Sequence, residues 1–278
     1  MSKEIFEKRL FEEYLEEREA SVATVRKYMT DIRTFFSFLG NKKITKKTLL
    51  EYKEWLQSHY AVSSSNSMIV ALNQYLNCIG CGKWRIRRIK SQGMGEEELE
   101  KQMNEEEFYR LLQTARNLKL DQMVMIMETI GSTGIRISEL QFFTVKSVME
   151  GIVKIRNKGK HRRVVIPETL RKKLLYYIGR KRILKGSVFV TKTGNVKDRS
   201  NIWRELKRIA TLAGVREEKV FPHNFRHFFA QNFYRITRNL VQLADILGHS
   251  NIEVTRRYAA DGISEWKKSM EKLSFLLE

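Results

Sequence analysis

The chain has 278 residues, with 52 Lys and Arg against 32 Asp and Glu and a formal net charge of +20 at pH 7. A hydrophobic share of 42% and an aromatic share of 10% exclude a wholly disordered chain. No apolar run approaches the roughly 18 residues a transmembrane helix needs. Met1-Ser2-Lys3-Glu4 leads into a charged helical pattern and not into a signal segment, so a cytoplasmic protein is expected. The cations are spread over many segments, which points to a folded protein with a polyanionic partner, usually nucleic acid.

Apolar residues recur at helical spacing through Ile5, Phe6, Leu10, Phe11, Tyr14 and Leu15, predicting a first helix from Glu4 to about Glu17. Ser21 can cap a second helix that carries Val25, Met29, Ile32 and Phe35 and stops at Gly40. Thr45 can cap a third helix, with Leu49, Trp55 and Leu56. The run Ser63-Ser64-Ser65-Asn66-Ser67 predicts a loop and cap ahead of a fourth helix through Ile69, Leu72 and Leu76. Cys78-Ile-Gly-Cys81 provides two cysteines where a closed zinc site needs four ligands, so it reads as two small half-buried residues near a helix end.

Lys83-Trp-Arg-Ile-Arg-Arg-Ile-Lys90 interleaves five cations with three apolar residues. It is either a solvated basic segment or a phosphate-contacting one, because each cation that neutralises a phosphate releases counterions. Ser91 to Gly95 and the acidic stretch Glu96–Glu100 mark a linker. The expected division is a helical domain over 1–90, a linker over 91–102 and a second domain over 103–278.

That second domain reads as mixed α/β. Asn104-Glu-Glu-Glu107 opens a helix, and Met123 to Ile130 forms a buried one. Val153–Ile155 and Arg163–Ile166 predict strands around Asn157-Lys-Gly-Lys160, and Pro167 then starts a helix. Val188–Val190 with Thr193-Gly-Asn195 predicts a third strand and a turn, and the pattern is helical from Asn201 almost to Glu278.

Four strings carry candidate chemistry: Thr133-Gly-Ile-Arg-Ile-Ser-Glu-Leu140, Asn157-Lys-Gly-Lys160, His223-Asn-Phe-Arg-His227, and Leu247-Gly-His249 followed by Thr255-Arg-Arg-Tyr258. Arg136 and Glu139 share a face if they lie on a helix, as do His223 and Arg226. These residue types fit attack on a phosphodiester. Arginine forks bind two oxygens of the phosphate, a tyrosine serves as nucleophile, and a Lys or His protonates the leaving alkoxide. No phosphate-cradling G-x-x-x-x-G-K-[ST] loop and no dense carboxylate cluster is present, so transesterification without metal or nucleotide cofactor is expected.

With these strings in this order, and Tyr258 nine residues after His249, the chain resembles the tyrosine recombinase (phage integrase, Xer-like) family over nearly its whole length. Ser21-x-x-Thr24-x-x-x-Tyr28-x-x-Asp31 is similar to the family's N-terminal DNA-clamping helical domain. The resemblance implies a mainly α fold with a small β-sheet, in which a SAM-like helical domain is joined to a mixed α/β catalytic domain. It implies that Arg136 and Arg226 bind the scissile phosphate while His223 and His249 donate hydrogen bonds. Lys158, or Lys160 given the short turn, protonates the leaving 5′ oxygen. Tyr258 attacks to form a 3′-phosphotyrosine, and Glu139 supports the arginines. Ser21, Thr24, Lys83, Arg85, Arg87, Arg88 and Lys160 are expected DNA contacts. The expected partner is duplex DNA with inverted-repeat core sites, bound by a tetramer that exchanges a C-terminal segment such as Ile263–Leu277. Phe225 stands where a leucine is more usual. The compact start favours a simple two-domain, Xer-like architecture over one with an added arm-site domain. A catalytically silent DNA-binding protein of the same fold, or a type IB topoisomerase-like enzyme, remains as an alternative.

Overall fold

The computed structural model describes residues 3–90, 102–157, 160–191, 193–249 and 251–256. It divides into two compact units, Met1–Gly93 and Met94–Glu278.

Among the described residues, four α-helices build the first unit: α1 (Lys3–Glu17), α2 (Val22–Leu39), α3 (Lys46–His59) and α4 (Val62–Cys78). Ser21 Oγ accepts from Thr24 N at 3.2 Å and so caps α2, and Thr45 Oγ1 accepts from Thr48 N at 3.2 Å to cap α3. Each cap satisfies one of the amides that a helix start leaves without a partner. The inward stripes meet in a core where Phe35 and Tyr52 pack edge to face at 5.0 Å and Phe11 packs the same way on Tyr75 at 5.5 Å. The serine cluster departs from expectation. It lies inside α4, whose N-cap is Ala61. Ser65 is fully buried and its hydroxyl donates back to Leu56 O and Ala61 O, both at 3.1 Å, so the side chain is satisfied without leaving the helix. Cys78 and Cys81 are free and half-buried at the end of α4, with Cys78 Sγ 3.8 Å from Leu10 O.

Behind a 3-10 turn at Gly82–Trp84, the basic segment runs extended along α4. Asn73 accepts from Ile86 N and donates to Ile86 O, both at 2.9 Å. One helical heptad earlier, Asn66 does the same for Ile89, at 2.7 and 3.0 Å. Two asparagine amides thus act as the missing strand partner. Ile86 is buried, while Lys83, Arg85, Arg87, Arg88 and Lys90 are exposed.

The second unit contains α5 (Glu105–Asn117), α6 (Asp121–Thr133), a 3-10 turn (Ile137–Phe142), α7 (Val145–Glu150), β1 (Ile152–Asn157), β2 (Lys160–Val165), α8 (Glu168–Lys181) and α9 (Arg199–Ala213). After a further 3-10 turn (Glu217–Lys219) come α10 (Pro222–Thr237), α11 (Leu240–Leu247) and α12 (Glu253–Arg256). A reciprocal capping box opens α5, since Asn104 Oδ1 accepts from Glu107 N at 2.8 Å and Glu107 Oε2 accepts from Asn104 N at 3.0 Å. Glu107 also pairs with Lys219 at 2.8 Å in a largely buried contact. Burial by itself would raise Glu107, but the Lys219 ammonium and the Asn104 hydrogen bond hold it below its ordinary value.

β1 and β2 form an antiparallel hairpin in which Val153 faces Val164 and Asn157 faces Lys160. The expected third strand does not form. Val190 makes a single antiparallel bridge with Val196 across a turn at Thr193-Gly194-Asn195, and Ser187 makes another with Thr144. Val188 and Phe189 are nevertheless buried in the core. The apolar run there serves packing and not a ladder. Phe225, on α10, is fully buried and meets Phe108 at 6.0 Å, so the larger side chain is taken up by an aromatic neighbour.

Candidate active site

α6 ends at Gly134, which has the left-handed backbone φ 62, ψ 20. A Cβ at this position would lie 2.3 Å from Phe229 Cδ1 and 2.9 Å from Leu247 Cδ2, so both conformation and space call for glycine. The chain then turns, leaving the Gly134 carbonyl exposed to the interior and placing Arg136 two residues on.

Arg136 does not sit on a helix face with Glu139, as the spacing predicts. It has extended backbone and caps the 3-10 turn that contains Glu139. Arg136 N donates to Glu139 Oε2 at 2.7 Å, and its guanidinium donates to Oε1 at 3.0 Å. Glu139 is 1% exposed and the Arg136 side chain 41% exposed. The carboxylate therefore anchors the base of Arg136 while the fork reaches the surface.

α10 begins with Pro222 at its first turn, a position where the missing N–H costs nothing. His223 and Arg226 follow on one face, as expected, and the His223 and His227 rings meet edge to face at 4.3 Å. Arg226 is the largest fully buried side chain among the described residues, at 1% exposure. Its guanidinium donates to Gly134 O and Leu247 O, both at 2.7 Å, and lies 3.0 Å from His249 Nε2. Both carbonyls belong to helix C-termini, where the dipole favours a cation.

α11 ends at Leu247, and Gly248 takes the left-handed conformation at φ 66. His249 follows. Arginine only donates, so His249 Nε2 accepts from Arg226, its proton sits on Nδ1, and Nδ1 donates to Thr255 Oγ1 at 2.8 Å. Thr255 is fully buried, on α12.

Arg136, Glu139, His223, Arg226 and His249 thus come together in one cleft of about 860 Å³. Lys158 and Tyr258 lie outside the described residues, as does the side chain of Lys160 at the start of β2. Ser21 and Thr24 belong to the first unit. Their hydroxyls pair with each other at 2.8 Å at the start of α2.

Two residues of the second unit escaped the sequence reading. Thr255 takes the Nδ1 proton of the tautomer that Arg226 sets and so holds the His249 ring in place. Arg162 also lines the cleft, and its guanidinium donates to Glu139 Oε2 and to Ile246 O, both at 2.5 Å. Burial lowers Arg162 from its ordinary value, and the Glu139 carboxylate opposes that shift. The signal for Arg162 was present in period two, since Arg162, Val164 and Ile166 alternate with the exposed His161, Arg163 and Val165.

Residues 101–264, more than half of the chain, match the Phage integrase family, and residues 8–78 match the phage integrase N-terminal SAM-like domain. The chain belongs to the phage integrase family. It is 26% identical over 269 residues to tyrosine recombinase XerD of Haemophilus influenzae, covering 88% of this chain and 90% of the relative. The crystal structure of XerH recombinase bound to difH substrate in a pre-cleavage complex matches with a TM-score of 0.72 and 18% identity, over 92% of this chain and 81% of that one. A lambda integrase tetramer bound to a Holliday junction matches with a TM-score of 0.71 and 16% identity, over 89% and 74%. At those identities the structural likeness is one of fold. Membership and full-length relatives together define the activity as that of a tyrosine-type, site-specific DNA recombinase.

Proposed function

We propose that the chain cuts and rejoins duplex DNA through a covalent 3′-phosphotyrosine link formed by Tyr258. The observation that carries this reading is the convergence of Arg136, His223, Arg226 and His249 on one cleft, in which Arg226 is held rigid by two helix-end carbonyls. A phosphodiester under attack gathers negative charge on its nonbridging oxygens, and preorganised arginine forks stabilise that charge without moving. The Tyr258 hydroxyl passes its proton to solvent as its oxygen attacks phosphorus, the P–O5′ bond breaks, and the leaving 5′ oxygen takes a proton from Lys158 or Lys160. A 5′ hydroxyl from the exchanging strand then attacks the phosphotyrosine and releases Tyr258. A phosphate ester is kept at every stage, so rejoining needs no nucleotide, and the arginine forks supply the charge stabilisation that a metal would otherwise give. Glu139 keeps Arg136 in place. In the resting arrangement His249 Nε2 accepts from Arg226, so donation from that nitrogen to a phosphate oxygen requires that it take up a proton.

The DNA-bound XerH and lambda integrase structures support a duplex DNA partner and assembly into a tetramer. For this chain the proposed division of labour is a DNA-clamping unit over 1–90, a linker over 91–102 and a catalytic unit over 103–278. Inverted-repeat sites would be bound by four protomers that exchange Ile263–Leu277, in the cytoplasm. Ser21, Thr24, Lys83, Arg85, Arg87, Arg88 and Lys160 would supply backbone contacts.

The test is covalent attachment to one short nicked duplex that traps the cleaved strand, in EDTA and without ATP. The wild-type chain should form an adduct, and Tyr258→Phe should bind the duplex yet form none. An adduct from Tyr258→Phe, or a wild-type adduct that appears only with added divalent metal, would overturn the mechanism.

A further inference from the structure

Among the described residues of the cleft, Arg162 is a guanidinium to which the proposed chemistry gives no task. It is 13% exposed, and it is bonded to two elements that each carry a phosphate ligand. One of its guanidinium nitrogens holds Glu139 Oε2, the oxygen that also accepts from the backbone of Arg136. The other holds Ile246 O in the last turn of α11, three residues before His249. Between these two bonds its stem crosses Gly248, where a Cβ would lie 2.7 Å from Arg162 Cδ. The glycine after α11 is therefore matched to this arginine.

We propose that Arg162 is a positioning residue for recombination, a brace that sets the distance between Arg136 and His249 and divides the Glu139 carboxylate between two arginines. The proposal rests on the site reading above. A buried carboxylate with a single arginine partner draws that partner into a bidentate pair. With Arg162 on Oε2, Arg136 gives Glu139 only one guanidinium N–H, from NH1 to Oε1. Without Arg162, Oε2 is left buried with the backbone amide alone. The fork of Arg136 then turns inward to meet it, and fewer of its donors reach phosphate. At the same time Ile246 O loses its donor, and the turn that carries His249 is no longer tied to Glu139. The planar fork is essential to this role, because one ammonium cannot hold two acceptors on separate elements at fixed angles.

The experiment measures the rate of covalent adduct formation on the nicked duplex, together with duplex affinity, for wild type, Arg162→Lys, Arg162→Gln, Glu139→Gln and the double variant Glu139→Gln/Arg162→Lys. Arg162→Lys should slow adduct formation on the order of 10–100-fold, the range usual for residues that orient a first ligand. Affinity should stay within about twofold, because it comes mainly from phosphate contacts spread along the duplex. In the Glu139→Gln background the same substitution should cost less than about threefold, as coupled residues are not additive. A wild-type rate in both Arg162 variants refutes the brace while leaving the site reading intact. So does a full, independent loss in the double variant. If both variants are unfolded at assay temperature, Arg162 serves the fold and the proposal fails. A wild-type chain that forms no adduct refutes the site reading itself.

Discussion

Replacing Gly134 with alanine separates two kinds of cost at the centre of the site. The backbone there is left-handed at φ 62, which charges an L-residue about 1–2 kcal/mol. The new methyl also falls 2.3 Å from Phe229 Cδ1 and 2.9 Å from Leu247 Cδ2. Relieving that overlap means repacking an interior, at about 1–3 kcal/mol more, so Gly134→Ala should cost roughly 2–5 kcal/mol in all. Gly214 supplies the control. It ends α9 at φ 63 with nothing within 4 Å of an added Cβ, so Gly214→Ala should cost only the backbone term. In a unit of this size each kcal/mol lowers Tm by about 2–4 °C, giving losses of roughly 4–20 °C against roughly 2–8 °C by thermal unfolding. Gly134→Ala should also slow adduct formation, because the displaced carbonyl is the one Arg226 NH1 holds at 2.7 Å. Equal thermal losses in the two variants would refute the crowding argument, and an unchanged cleavage rate would refute the link to Arg226.

Arg136→Lys and Arg226→Lys should each lower the adduct rate by roughly 10²–10³-fold, since an ammonium lacks the bidentate fork; near-wild-type rates in both would sink the phosphate clamp. DNA affinity should fall linearly with log salt at about −0.9 per phosphate neutralised, and removing the charges of Lys83, Arg85, Arg87 and Arg88 should flatten that slope; an unchanged slope would leave the segment a solvated connector. Glu107→Gln should destabilise at pH 7, and the gap in Tm from wild type should close as pH falls. Glu107 is depressed in the fold, so its stabilisation is present above the unfolded carboxylate value of about 4.3 and is lost as pH drops through the folded value; a gap that widens in acid would contradict the Lys219 pairing.

Helix starts were legible at three short-range caps, whereas the equally local caps at Thr144 and Asn239 went unread. Ser21, Thr45 and Asn104 each bond an amide three residues on, and all three read correctly from the sequence. The same logic failed at Ser63–Ser67, where serines with the right chemistry for a cap lie within a helix. There tertiary burial decided, since Ser65 points back at α3 and finds Leu56 O. The third strand failed for a related reason. Val188 and Phe189 satisfy the core without a strand neighbour, so β propensity was spent on packing. Arg136, His223, Arg226 and His249 were named from the sequence and share one cleft, and Glu139 was expected beside the arginines, but the bonds that hold Arg226 were not foreseen. Arg226 meets a carbonyl 92 positions away in the chain, and no local pattern encodes that distance.

The two motif glycines explain why the support and the ligands travel together. Gly134 and Gly248 each follow the last residue of a helix, and each is crowded where a Cβ would stand. A helix stopped in this way leaves carbonyls without intrahelical partners. Gly134 O and Leu247 O are two of these, and both are taken by Arg226. The reversal that frees the carbonyl also sends the next residues into the cleft, Arg136 after one glycine and His249 after the other. One backbone device therefore performs both tasks: it builds the socket for the buried arginine and places a half-buried candidate residue beside it. A longer side chain at either glycine would disturb both at once, so the geometry of this cleft depends on two residues that have no side chain to contribute.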